Sequence, residues 1–368
     1  MTSWSKRRAK LKSHLPGQAL LGAASLAYGA GVLGRKALYD LKILKRRKIG
    51  AKVICIGNIT TGGTGKTPAV LLAAETLRKR GHDVAILSRG YGGTASKKEV
   101  TVLLDGRQTD WRLCGDEPWM IHQSLQGQGV PVLVCPDRTK AGELAVEMYG
   151  SSVVILDDGF QHMKLHRDLD VVLVNATDPF GGGRLLPLGN LREPISALRR
   201  AHVVIVTHAD RVTAAELSTL RERIDAAHPG VKILESAHKA DHVLDVRTEE
   251  KHPLEHLKGK AVVALSGLGD PLSFENQLES LGATIAQAWR YPDHHAYAEK
   301  ELRAISELRG SLPVVTTYKD FIRLPERWRE TLTGEVLVLG IKLDILKGRN
   351  TWIDMLNELA DKARKRRS

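Results

Sequence analysis

Cysteine is scarce: Cys55, Cys114 and Cys135 are the only three in 368 residues, and no two stand at C-x-x-C spacing. That argues against a disulfide framework and a cysteine-rich metal module. Each lies in or beside an apolar run, so buried free thiols in a reducing compartment are expected. Aromatic residues make up only 5% of the chain, and they are not interleaved with the basic residues as a nucleic-acid stacking surface requires. Acidic residues are nearly missing from the first fifty positions, where Asp40 alone faces twelve lysines and arginines. That segment therefore carries +11 of the +13 formal charge, and a second basic cluster, Lys362-Ala-Arg-Lys-Arg-Arg-Ser368, ends the sequence. Charge confined to the two ends points to an anionic surface, with membrane ahead of nucleic acid.

A clean membrane-spanning run is lacking as well. Residues 13–34 hold no charge apart from His14, but Pro16 and five glycines dilute the stretch. Leu26, Ala30, Leu33, Ala37, Leu41 and Leu44 recur at helical spacing, with Arg35, Lys36, Lys42 and Lys45 between them. This predicts a basic amphipathic helix lying in the interface of an anionic leaflet. The competing readings are a helix packed on the body and a secretory signal, which would strand a downstream nucleotide site outside the cell.

What is present is a phosphate-binding turn. Val53-Ile-Cys-Ile-Gly-Asn-Ile-Thr-Thr-Gly-Gly-Thr-Gly-Lys-Thr-Pro68 runs from an apolar strand through glycines into a helix start. Thr60, Thr61, Gly62, Gly63, Thr64 and Gly65 would curl the backbone so that N–H groups converge on a polyphosphate. Lys66 would reach the outer phosphates and the Thr67 hydroxyl a magnesium ion. Thr60 stands where the usual spacing has glycine, so the wider context carries the assignment: a helical run over 69–80, a stop at Gly81, and a second strand over 84–87.

Strands are predicted over 52–56, 84–87, 100–104, 132–135, 153–156, 171–174 and 203–206, mostly continuous and β-branched as in sheets buried on both faces. Helices over 118–126 and 139–149 fit between them, giving a doubly wound sheet of the P-loop NTPase-like α/β/α kind. Residues 228–253 show no long periodic run. Beyond them a second α/β pattern follows, with strands over 261–265, 284–289, 314–317 and 336–341 and a helix over 272–281. The expected organisation is a membrane-associating segment at 1–48, a catalytic domain at 49–230 and a smaller α/β domain at 231–368.

Four apolar residues ending in Asp157-Asp158-Gly159 would set a carboxylate beside the phosphate turn to hold magnesium. Both aspartates can serve only if the strand ends in a turn there. Asp116, at the start of a helix after Gly115, is either a cap or a general base for an acceptor hydroxyl. Asp293-His294-His295 offers a histidine to orient such a base, or a plain surface turn. Arg89, Arg138 and Arg192 sit in loops at strand ends, where arginines clamp phosphates, and Glu193 could join the magnesium shell. Thr207-His208 replaces the Asn-Lys with which GTP-binding relatives read the base, so guanine specificity is not expected.

Taken together, Gly57-Asn58 leading into Gly62-Gly-Thr-Gly-Lys-Thr-Pro68, Ser88-Arg-Gly-Tyr-Gly92, Gly115-Asp-Glu-Pro118, Asp157-Asp-Gly-Phe-Gln-His162, Leu191-Arg-Glu-Pro194 and Asp293-His294 resemble the tetraacyldisaccharide 4′-kinases of lipid A synthesis. The resemblance implies two α/β/α lobes with the active site in the cleft. It implies ATP on Lys66 and the loop glycines, and Mg2+ at Thr67 with Asp157 or Asp158. Asp116 with His294 would activate a sugar 4′-hydroxyl, while Asn58, Arg138, Arg192 and Glu193 would lie near the phosphates or metal. The implied substrate is an acylated glucosamine disaccharide 1-phosphate at the cytoplasmic face of the bacterial inner membrane, with no nucleic acid and no obligate protein partner. A membrane-attached partitioning ATPase is the alternative, but its loop carries a lysine where this chain has Thr61.

Overall fold

The computed structural model describes residues 8, 11–95, 98–105, 111–293 and 295–364. They form two compact units: the larger holds the described residues up to His238 and those from Leu343 onward, and the smaller is Lys239–Lys342. His294 and the tail beyond residue 364, both singled out in the sequence, lie outside the described residues.

In the larger unit the strands are β1 (Lys52–Asn58), β2 (Val84–Ser88), β3 (Thr101–Leu103), β4 (Val132–Val134), β5 (Val153–Asp157), β6 (Leu169–Asn175), β7 (Val203–Thr207) and the first half of β8 (Lys232–Asp245). They lie in the order β8-β7-β6-β1-β5-β2-β4-β3, parallel except for the β3–β4 pair. The helices are α1 (Leu15–Asp40), α2 (Lys66–Arg78), α3 (Asp116–Ser124), α4 (Arg138–Tyr149) and α5 (Ala214–Ala227). Strand residues alternate between two buried layers. Ile54 and Ile56 join Val70, Ala73 and Leu77 of α2, whereas Val53 and Cys55 join Ala141 and Ala145 of α4. Burial on both faces explains why these strands read as continuous apolar runs. All three cysteines are buried and lie outside any disulfide.

α1 runs 26 residues from His14, whose side chain accepts the Gly17 N–H, with Pro16 in its first turn where a missing donor costs nothing. It ends at Asp40, so Leu41 and Leu44 lie beyond it. Its buried stripe is Gly17, Leu21, Ser25 and Gly29. Leu15, Leu20, Leu26 and Leu33 are exposed, Leu26 by 79%. No helix among the described residues is long and apolar enough to cross a membrane.

The smaller unit holds the rest of β8, β9 (Glu250–His252), β10 (Ala261–Ser266), β11 (Thr284–Arg290), β12 (Val314–Thr317) and most of β13 (Val336–Lys347), with α6 (Pro271–Ser280) and α7 (Glu299–Arg309). β11, β10, β12 and β13 are parallel neighbours. Fully buried Asp320 joins the carboxyl ends of β10 and β12 and the loop after β11, accepting from Gly267 N at 2.9 Å, Thr317 Oγ1 at 2.7 Å and Tyr297 OH at 3.1 Å.

Two findings differ from the sequence reading. Part of the stretch read as lacking a periodic run, 232–245, is the 14-residue strand β8, with four consecutive buried residues at 234–237 among polar ones. The end of the chain does not stay in the smaller unit. α8 (Arg349–Arg364) presents Trp352, Leu356 and Ala360 at helical spacing, and these pack into the same layer as α2. That core, rather than the 231–368 boundary, decides where α8 sits. Trp352 is 2% exposed, and Trp352→Ala should cost about 3–5 kcal/mol in a denaturant titration. A loss under 1 kcal/mol would mean that α8 contributes little to this core.

Candidate active site

β1 delivers the chain to the phosphate-binding turn, where Gly62 (φ 111°) and Gly65 (φ 80°) adopt backbone that side chains resist. α2 begins after Gly65 with no side-chain cap, so its first N–H groups and the positive end of its dipole face the turn. The turn is held from two sides. Thr207 Oγ1 donates to Thr64 O at 3.2 Å, and Thr61 N donates to Asn190 O at 2.8 Å. Thr60 is buried and bridges to Leu191, while Gly63 is exposed and Thr67 half-buried. Thr64 Oγ1 and Asn58 Oδ1 are buried without a protein partner, a situation native interiors reserve for a ligand or water.

A Cβ at Gly65 would stand 2.4 Å from His238 Nε2, and φ there is already unfavourable for any side chain. Gly65→Ala should weaken ATP binding by about tenfold, read by titration with a fluorescent ATP analogue. Wild-type affinity would show that the turn tolerates the strain.

β5 ends at Asp157, and Asp158 turns away with φ 49°, the break in the strand that lets neighbouring carboxylates share one site. Arg192 Nη1 donates to both Asp158 oxygens, at 2.9 and 2.8 Å, and Lys66 Nζ lies 4.0 Å away. Burial would raise the Asp158 carboxyl, but Lys66 and Arg192 hold it below the usual range. Asp157 has a different environment. Burial, then Glu117 and Asp158, push it up to about 7 against Lys66 and the Ser88 hydroxyl, which donates at 3.1 Å. Glu193 is buried, accepting from Gln161 Nε2 at 3.0 Å and from Arg200 Nη2 at 2.9 Å. Gln161 also donates to Asn58 O at 2.9 Å, tying Glu193 to the end of β1.

This donor set suits magnesium better than a preformed metal cage. Among the described residues no group of three His, Cys, Asp or Glu side chains could hold an ion. Mg2+ keeps several waters and takes one or two carboxylates plus substrate phosphates. Asp157 and Thr67 fit that role, whereas Asp158 and Glu193 are already paired with arginines.

The raised Asp157 carboxyl has a consequence for stability. An acid whose folded-state pKa lies above its unfolded value costs stability as pH rises through the interval between them, and costs nothing below both. Asp157→Asn should therefore raise the Tm of the ligand-free protein at pH 8, and this gain should vanish near pH 4 while activity is lost at both. An equal Tm change at the two pH values would contradict the assignment.

Arg138, at the start of α4, is 4% exposed. Burial and then Arg89 lower its pKa, with Asp157 and Asp158 opposing them. Arg89 itself is exposed. His162 is pushed down to about 4 by burial and by Arg138, so it is neutral at physiological pH. Asp116 opens α3 behind Gly115 (φ 92°). A Cβ at Gly115 would meet Tyr91 O at 2.6 Å and one at Gly93 would meet Leu113 O at 2.5 Å. Glycines let the 90–93 turn seat against residues 113–115, directly before Asp116.

On the smaller unit Asp293 is exposed. His295 is occupied by its own surroundings, stacked on Tyr291 at 4.6 Å and hydrogen-bonded through Nε2 to Glu301 at 3.0 Å. The sequence reading gave no role to Ser88, Asn190, Gln161 or Arg200. Gln161 at least lies in the Asp157–His162 motif, but nothing in the sequence signals that Arg200 reaches Glu193.

A family model described as tetraacyldisaccharide-1-P 4′-kinase matches residues 17–360. The tetraacyldisaccharide 4′-kinase of Elusimicrobium minutum is 42% identical over 348 residues, covering 94% of this chain and 92% of the relative. That of Anaeromyxobacter dehalogenans is also 42% identical over 348 residues, covering 94% and 91%. LpxK from Aquifex aeolicus, solved in complex with ATP, superposes with a TM-score of 0.76 at 30% identity, covering 93% of this chain and 99% of that one. The chain belongs to the tetraacyldisaccharide-1-phosphate 4′-kinase family.

Proposed function

We propose that the chain transfers the γ-phosphoryl group of ATP to the 4′-hydroxyl of an acylated glucosamine disaccharide 1-phosphate. The observation that carries this reading is the uncapped start of α2, with Lys66 beside the Asp157–Asp158 pair at the end of β5. Asp116 accepts the proton of the acceptor hydroxyl. The hydroxyl oxygen then bonds to phosphorus as the bond to the bridging oxygen breaks and ADP leaves. Lys66 and the α2 N–H groups neutralise charge on the transferred group, and Arg138 and Arg89 face the phosphates. Asp157 and Thr67 would hold Mg2+, which supplies further neutralisation of phosphate charge. Arg192 and Arg200 hold Asp158 and Glu193 in place beside it. The resemblance assigns His294 a part in the same proton transfer, and His294→Ala compared with His295→Ala separates the two histidines.

The exposed leucines of α1, flanked by lysines and arginines, support a peripheral position on an anionic membrane, which in this reading is the cytoplasmic face of the bacterial inner membrane. The test is transfer of labelled γ-phosphate to the acylated disaccharide 1-phosphate in micelles, with and without magnesium. A magnesium-dependent doubly phosphorylated lipid is expected. ATP hydrolysis without lipid product would favour a partitioning-type ATPase.

A further inference from the structure

α1 has a second face. Besides its exposed leucines it presents Ser25, Tyr28 and Arg35 to backbone carbonyls of the site-bearing loops. Ser25 Oγ donates to Leu185 O at 2.9 Å, Tyr28 OH to Arg192 O at 2.9 Å and Arg35 Nη2 to Gln161 O at 3.1 Å. The helix comes close enough that a Cβ at Gly29 would lie 2.8 Å from Leu185 Cδ1. Arg8 adds bonds to Pro187 O at 2.6 Å and to Asn190 Oδ1 at 3.0 Å.

These carbonyls lead directly to the phosphate turn. Leu185 bridges to Leu191, and Leu191 bridges to Thr60. Arg192 N donates to Ile59 O at 2.7 Å, and Asn190 O receives Thr61 N at 2.8 Å. The segment 185–193 is thus a short ribbon with α1 on one side and the phosphate turn on the other. It also carries Arg192, which orients Asp158, and Glu193, which is held by Gln161. Each end of the ribbon is secured by directional hydrogen bonds, so a displacement of α1 reaches the turn through backbone rather than through compliant side chains.

We propose that Ser25, Tyr28 and Gly29 are positioning residues for the phosphoryl-transfer site, and that α1 sets the 185–193 ribbon, and through it Asp158 and the phosphate turn, for catalysis. The membrane-facing leucines of the same helix serve a separate purpose. The inference rests on the kinase reading for its kcat measurement but not for its nucleotide-affinity measurement, which needs no lipid acceptor.

The experiment compares the two faces in the full-length chain. Tyr28→Phe removes one bond to the ribbon while keeping the ring, and Gly29→Leu wedges the helix from Leu185 while leaving the outer face apolar. Both should lower kcat in micelles and affinity for a fluorescent ATP analogue by about tenfold, with KM for the lipid acceptor and sedimentation with anionic vesicles as in wild type. The outer-face variant Leu26→Asp/Leu33→Asp should do the reverse, losing vesicle sedimentation while keeping kcat in micelles. A wild-type Tm for Tyr28→Phe establishes that the fold is intact. Wild-type kcat and nucleotide affinity in both inner-face variants would overturn the proposal. So would loss of vesicle binding in step with kcat in all variants, because the helix would then act as one anchoring body. Failure of the wild-type chain to phosphorylate the lipid would overturn the kinase reading alone, and the affinities would still decide this one.

Discussion

Lys66→Ala should lower kcat/KM by about 10²-fold or more, the effect of removing a preorganised charge from a developing phosphoryl transition state. The loss has two parts that pH separates. Lys66 Nζ lies 4.0 Å from Asp158 and also works to lower the pKa of the buried Asp157. Without the ammonium group, the Asp157 carboxyl moves further up and stays protonated over more of the working range. A protonated carboxyl cannot hold a divalent cation, so the acid limb of the pH–rate profile should shift to higher pH and residual activity should recover toward pH 9. The direct loss of transition-state neutralisation does not recover. A variant with near-wild-type activity at pH 7.5 would contradict the site. A flat loss across the profile would remove Asp157 from the account while leaving Lys66 in it.

Asp116→Asn should reduce kcat by roughly 10²–10⁴-fold, the usual range for a lost general base, with affinity for a fluorescent ATP analogue unchanged. The side chain keeps its volume, and its Oδ1 can still accept the Glu117 N–H, which Asp116 accepts at 3.0 Å, so α3 keeps its first turn. A merely structural role for Asp116 predicts the opposite pattern, with stability lowered and kcat retained. Chemical denaturation alongside single-turnover transfer distinguishes the two.

Much of the larger unit was legible because a parallel sheet covered on both faces leaves an unmistakable trace of apolar, β-branched segments. The segments at 84–87, 153–156 and 203–206 lie within the observed strands. β8 escaped because Lys232, Glu235, Lys239, Asp241 and Asp245 interrupt any periodic signal, and only four consecutive positions in it are buried. The destination of α8 escaped for another reason. Trp352, Leu356 and Ala360 mark a face to be buried, but not which core will bury it. In the site, the motifs named the groups that approach phosphate. What they could not name was the scaffold that fixes them. Arg200 on Glu193, Ser88 on Asp157 and Asn190 on Thr61 act across 7, 69 and 129 positions of sequence, and no local pattern records such pairings.

The burial of Cys55, Cys114 and Cys135 has a practical side. None is more than 1% exposed, and burial also raises the Cys55 thiol well above its ordinary value, which suppresses the reactive thiolate. The wild-type chain is therefore close to silent toward maleimide reagents while it stays folded. One cysteine placed on the outer face of α1 would accept a spectroscopic label without prior removal of the native three, and their own slow labelling would report global unfolding.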